Sequence, residues 1–169
     1  AISTVSYKHE GVEYQREYFA NYPDNVIAVK LKASQPGMMT FTVRPVLPYL
    51  HPFDKEQNGR SGYIRSQNDL IMLEGEIQYF HLAYEGQIKV VNYGGTTTCN
   101  DKEGEPATIS INKADSVVLY ISVATSYQLQ DNVFLLPNAE KFKGNALPHD
   151  KVAKCIRTAT KKGYERLRQ

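Results

Sequence analysis

An alternation of period two dominates the early chain. Between Gly11 and Val46, Val12, Tyr14, Arg16 and Tyr18 fall on one face of a strand, with Glu13, Gln15 and Glu17 on the other. Successive side chains of a strand point to opposite faces, so the pattern predicts one half-buried face. Asn21-Tyr-Pro-Asp-Asn25 breaks the run with residues suited to turn dihedrals. Ile27, Val29 and Leu31 then alternate with Lys30 and Lys32. After Gln35-Pro-Gly37, Met39, Phe41 and Val43 alternate with Thr40, Thr42 and Arg44. Three antiparallel strands are expected, with an apolar face that a second layer must cover.

The same reading extends in both directions. Ile2 to Lys8 reads as a strand joined to the next through His9-Glu-Gly11, a hairpin signal. Leu47 to Arg60 carries two prolines and an Asn-Gly, which argue against regular pairing, while Tyr49, Leu50 and Phe53 argue against disorder. Strands resume at Gly62 to Ser66 and Leu70 to Glu74. A long run from Phe80 to Tyr93 follows, with Gly86 as the expected bulge or bend. Thr96 to Cys99 and Thr108 to Asn112 flank an acidic hairpin tip. Ser116 to Thr125 is apolar on both faces and predicts a central strand covered on both sides. Pro137 to Pro148 is a connector. Asp150 is the expected cap of a helix from Lys151 to about Arg168, with Val152, Ile156, Ala159, Gly163 and Leu167 along one face. The expected fold is mostly β: an antiparallel β-sandwich over 1–136, then a connector and amphipathic linker helix over 137–169.

Composition narrows the function classes. The 169 residues suffice for one domain with a sizeable core, and 41% apolar content fits a globular chain. A formal charge of +2 creates no field that calls for nucleic acid or an anionic membrane, and neither is an expected partner. No apolar run reaches membrane-spanning length and no signal-peptide pattern opens the chain. The opening residue is Ala1, already inside a strand pattern, which suggests a piece excised from something longer. Two cysteines, Cys99 and Cys155, supply neither a disulfide framework nor a metal-ligand spacing.

Candidate chemistry is sparse. Glu74/Glu76, Glu103/Glu105 and Asp54/Glu56 are carboxylate pairs at i, i+2, a spacing that shares a strand face. Their setting at a strand end, a hairpin tip and a loop favours solvated surface. His9, His51, His81 and His149 lie apart without HxH or HxxxH spacing, so no metal or other cofactor is expected. Ser61 and Ser126 lack a nucleophile elbow. Arg16 shares a face with Tyr14 and Tyr18, where it pairs with a buried carboxylate or lies against rings; a structural role is expected for all three.

Several separated motifs, in one order along the whole chain, resemble the N-terminal β-domain of glycoside hydrolase family 95, itself related to the family 65 N-terminal-like domain. They are Tyr14-Gln-Arg-Glu17, Asn21-Tyr-Pro-Asp-Asn-Val-Ile27, Ala124-Thr-Ser126, His149-Asp-Lys-Val152 and Lys162-Gly-Tyr-Glu-Arg-Leu167. The resemblance implies α-L-fucosidases and related exo-acting, inverting enzymes, including α-galactosidases. Their chains run from a β super-sandwich through a linker helix into a catalytic (α/α)6 barrel. Acid, base and most sugar contacts lie in that barrel, and no position here matches them, so no catalytic residue is assigned to this chain. The earliest super-sandwich strands have no counterpart, and the resemblance implies a truncated sandwich.

The implied role is support of the chain's own barrel, with carbohydrate bound only through the full enzyme. The implied setting is bacterial and extracytoplasmic, periplasmic or secreted. Loop residues Tyr49, His51 and Asp54 have the chemistry of substrate contacts: a stacking ring, a donor or acceptor, and a bidentate acceptor. A self-packed loop is the alternative for them. The rival function is a carbohydrate-binding or cell-surface interaction module, for which the 12 tyrosines and six phenylalanines would supply stacking surfaces.

Overall fold

The computed structural model describes residues 1–48, 50 and 56–169, and it forms three layers. The middle layer is an antiparallel sheet in the order β1 (Ile2–His9), β2 (Val12–Asn21), β3 (Val26–Ala33), β11 (Ser116–Thr125), β8 (Leu82–Tyr93), β7 (Leu70–Ile77), β6 (Arg60–Gln67) and β5 (Glu56–Gln57). One face carries a smaller sheet, β4 (Met39–Val43), β10 (Thr108–Ala114) and β9 (Thr96–Asn100). The other face carries α1 (His149–Lys162) and α2 (Tyr164–Arg168). The antiparallel sandwich with a C-terminal helix is therefore borne out. No helix among the described residues is long and apolar enough to cross a membrane.

Strand β11 lies at the centre, paired with β3 on one side and β8 on the other. Its two apolar faces serve two cores, as expected of a strand covered on both sides. Val117 joins Met39, Ile71, Val90, Ile109, Ile111 and Ala114 between the sheets. Val118 and Tyr120 join Phe19, Val26, Ala28, Ile156, Ala159, Tyr164 and Leu167 under the helices. Burying each large side chain contributes about 1.5–3 kcal/mol, so both cores matter to stability.

Four local expectations are corrected. The third strand of the opening meander does not extend the sheet of the first two. After Gly37, whose φ is +71° and whose amide donates to Asp115 Oδ1 at 2.8 Å, β4 crosses to the smaller sheet and pairs with β10. Asn58-Gly59 does not prevent pairing: both take positive φ, 52° and 71°, and close the β5–β6 hairpin. This is the left-handed geometry that tight hairpins require. Gly86 is no bulge, because β8 keeps an unbroken register through it with both β7 and β11. The helix begins at His149 rather than after an Asp150 cap, and Pro148 precedes it without a side-chain cap bond. It is interrupted at Gly163, with φ +81° and ψ 159°, so that α2 turns and sends Tyr164 into the core in place of Gly163.

The face of β2 expected to be polar is the seat of α2. Tyr164 donates to Glu17 Oε2 at 2.8 Å, Asn21 Nδ2 donates to the Leu167 carbonyl at 2.8 Å, and Lys30 Nζ lies 2.7 Å from Glu165 Oε1. The linker segment thus shares a core with the sandwich.

Candidate functional site

Along the helix-bearing face, strands β6, β7, β8 and β11 change from apolar to polar. On β11 the sequence runs Val118, Tyr120, Ser122; on β8 it runs Val91, Lys89, Gln87, Glu85. Register places Glu74 of β7 directly opposite Glu85, and Tyr63 of β6 directly opposite Glu74. Three neighbouring strands therefore present Tyr63, Glu74 and Glu85 in one row. Like charges directly opposite in a sheet repel, so this row needs compensation.

Compensation arrives from far along the chain. His149, the first residue of α1, brings Nδ1 to 3.0 and 3.1 Å from the two Glu85 carboxylate oxygens. Gln87 Nε2 donates to Glu85 Oε1 at 2.7 Å, and the Tyr63 hydroxyl donates to Glu74 Oε2. That last bond raises the Tyr63 phenol pKa, because ionisation would set a phenolate against the carboxylate. Glu85 is only 4% exposed. One ligand atom each from Glu74, Glu85 and His149 lies within 4.8 Å of the others. Glu85 is buried, and its carboxylate oxygens are taken up by His149 and Gln87.

Arg16 lies in a different place. Its guanidinium stands 5.4 Å from the Tyr7 ring centroid and donates to the Tyr7 hydroxyl at 3.2 Å. Tyr7 in turn stacks on Tyr14 at 5.2 Å, and Tyr18 also hydrogen-bonds Arg16. These hydroxyls hold the arginine pKa above its ordinary value. A third feature is an open groove of about 560 Å³ beside α2, lined by Lys30, Tyr93, Val118, Lys162, Tyr164 and Arg166 among others.

Tyr49, His51 and Asp54 lie outside the described residues. Glu76 pairs with His81 at 2.9 Å rather than with Glu74. At the acidic hairpin tip, Glu105 accepts from Asn100. Of the carboxylates and histidines singled out from the sequence, the structure brings together Glu76 with His81 and Glu74 with His149. Glu85 and Gln87 were missed. Their signal was a glutamate and a glutamine at alternate positions inside a long, largely apolar strand. His149 stands 64 residues from Glu85, beyond any local spacing rule.

The fold is an antiparallel sandwich with a C-terminal helix packed on one face. The chain belongs to the glycosyl hydrolase family 65, N-terminal domain, whose family model matches residues 1–130. It is also similar to Alpha-L-fucosidase 2 of Arabidopsis thaliana, 26% identical over 159 residues. That similarity covers 81% of this chain and 17% of the plant protein, so the chain spans about a sixth of that relative's length.

Proposed function

We propose that this chain is the non-catalytic N-terminal β-domain of a multidomain, inverting α-L-fucosidase- or α-galactosidase-like glycoside hydrolase. It supports a catalytic (α/α)6 barrel carried elsewhere in the same polypeptide, in a bacterial periplasmic or secreted setting. The observation that carries this reading is the similarity to an α-L-fucosidase over a sixth of that protein's length, coincident with a glycoside hydrolase N-terminal family. The helical segment supports it further, since α1 and α2 share an apolar core with the sheet. Within this reading the loop around Tyr49, His51 and Asp54 walls the sugar pocket.

Hydrolysis of aryl α-L-fucoside and α-galactoside, by the chain alone and by the polypeptide joining it to a barrel, tests the assignment. Turnover is expected only from the longer protein, and turnover by the chain alone would overturn it. In the longer protein, His51→Ala or Asp54→Ala is expected to lower kcat/KM. Unchanged values would remove the loop from the pocket.

A further inference from the structure

We propose that Glu74, Glu85 and His149 bind one divalent transition-metal ion of the Zn²⁺ class. Two consecutive strands, β7 and β8, and the start of α1, which lies 64 residues beyond Glu85, deliver one ligand atom each to a space within 4.8 Å. In a tetrahedral site with bonds of ~2.0–2.1 Å, ligand atoms stand ~3.4 Å apart. The Glu85–His149 distance of 3.0 Å is near that value, and the Glu74 ligand atom lies within 4.8 Å of both.

The charge balance points the same way. A buried carboxylate requires a cation or several donors. Among the described residues, His149 is the one His, Lys or Arg paired with Glu85, and Glu74 has none. Arg65, a cation on the same face, lies over the Tyr63 ring at 5.1 Å rather than in an ion pair with either carboxylate, and a divalent ion would offset the two opposed charges. Orienting bonds are in place as well: Gln87 fixes one Glu85 oxygen and Tyr63 fixes one Glu74 oxygen. Such outer contacts hold metal ligands in position.

The donor set selects the ion. An imidazole nitrogen with two carboxylates suits Zn²⁺ and its neighbours, whereas Ca²⁺ and Mg²⁺ favour shells made wholly of oxygen. The His149 side chain is 54% exposed, which leaves a route in from solvent and room for water on the ion. A bound ion would tie the first turn of α1 to the middle of the sheet.

The test uses the chain with Cys99→Ser, which removes an exposed thiol that could compete for metal. After EDTA treatment and dialysis, ZnCl2, MnCl2, CaCl2 and MgCl2 are titrated separately by calorimetry, and Tm is followed with and without each salt. One Zn²⁺ per chain is expected, with a Tm rise and with binding at least tenfold tighter than for Ca²⁺ or Mg²⁺. Glu85→Gln and His149→Ala should each weaken Zn²⁺ binding tenfold or more. The second change lies at an exposed side chain, so it remains informative if the first fails to fold. No saturable binding, equal Zn²⁺ binding by His149→Ala, or a preference for Ca²⁺ would each overturn the proposal. No sugar enters this experiment, so its failure leaves the glycosidase reading standing, and the converse also holds.

Discussion

The two ends of the helical layer rest on the same face of the same sheet and do opposite things. At the C-terminal end, Ile156, Ala159, Tyr164 and Leu167 press on Phe19, Ala28, Val118 and Tyr120, an apolar core with polar bonds such as Tyr164–Glu17 at its edge. At the N-terminal end, His149 meets Glu85, with Gln87 and Glu74 alongside. Apolar burial stabilises in proportion to area, and nothing about it needs a particular partner. A buried carboxylate facing a second carboxylate gives no stability that a well-packed apolar residue would not match. The difference teaches where to look for a role. One end explains why α1 stays on the sheet, and the other holds groups whose presence stability does not explain.

Breaking the apolar end should have the largest effect. Ile156→Ala is expected to lower unfolding free energy by about 2–5 kcal/mol, the usual loss for a buried aliphatic truncated to Ala. Urea unfolding followed by circular dichroism measures it. A loss no greater than for an exposed residue would mean that the helices are not anchored through this core.

The next effect lies beside the polar end. A Cβ at Gly75 would overlap the Tyr84 hydroxyl and the Ser61 carbonyl, because the Tyr84 ring crosses the glycine to donate to that carbonyl at 2.8 Å. Gly75→Ala is expected to cost about 1–3 kcal/mol as overpacking. Adding Tyr84→Phe should recover part of the loss by removing the overlapping hydroxyl. No recovery would place the strain in the backbone at Ser61 instead.

The apolar end was far more legible in the sequence than the polar one. Strict alternation located β2, β3 and β4, and the double-sided apolarity of Ser116–Thr125 located the centre of the sheet. Alternation does not say which sheet a strand joins, so β4 was placed beside β3, although its apolar face packs from the opposite layer. Helical spacing found Val152, Ile156 and Ala159 but carried the stripe through Gly163. The left-handed φ there ends α1, and Tyr164 fills the core one position later. Glu74 and His149 were each visible, but only as a half of an i, i+2 pair and as an isolated histidine. Their proximity depends on β7–β8 register and on where α1 starts, neither of which composition encodes locally.

Within the apolar end, one polar contact permits a finer division. Tyr164→Phe keeps the ring against Phe19, at 5.3 Å between centroids, and removes the bond to Glu17. A loss of about 1 kcal/mol is expected, the net worth of one such hydrogen bond. Alkaline pH tests the same pocket. Burial pushes the Tyr120 phenol up to about 12, and burial and Glu17 push Tyr164 up as well. Unfolded phenols titrate near ~10, so the folded state holds its protons more tightly. That stability is complete below pH ~10 and is lost as pH rises toward 12. Tyr164→Phe should flatten the decline between those limits. An unchanged slope would assign it to other groups.

The smallest effect should carry the opposite sign. Glu74→Gln leaves an oxygen to accept from Tyr63 and removes one of two charges that face each other across β7 and β8. Directly opposed like charges destabilise a strand pair, and relief of one such contact is worth roughly 0.2–1 kcal/mol. In EDTA the substitution should therefore raise the urea midpoint slightly. With saturating Zn²⁺ the order should reverse, because wild type keeps a charged ligand that the variant lacks. Destabilisation by Glu74→Gln even without metal would show that the paired carboxylates are held apart by their donors. The polar end would then be an ordinary satisfied network, and its contrast with the apolar end would lose its meaning.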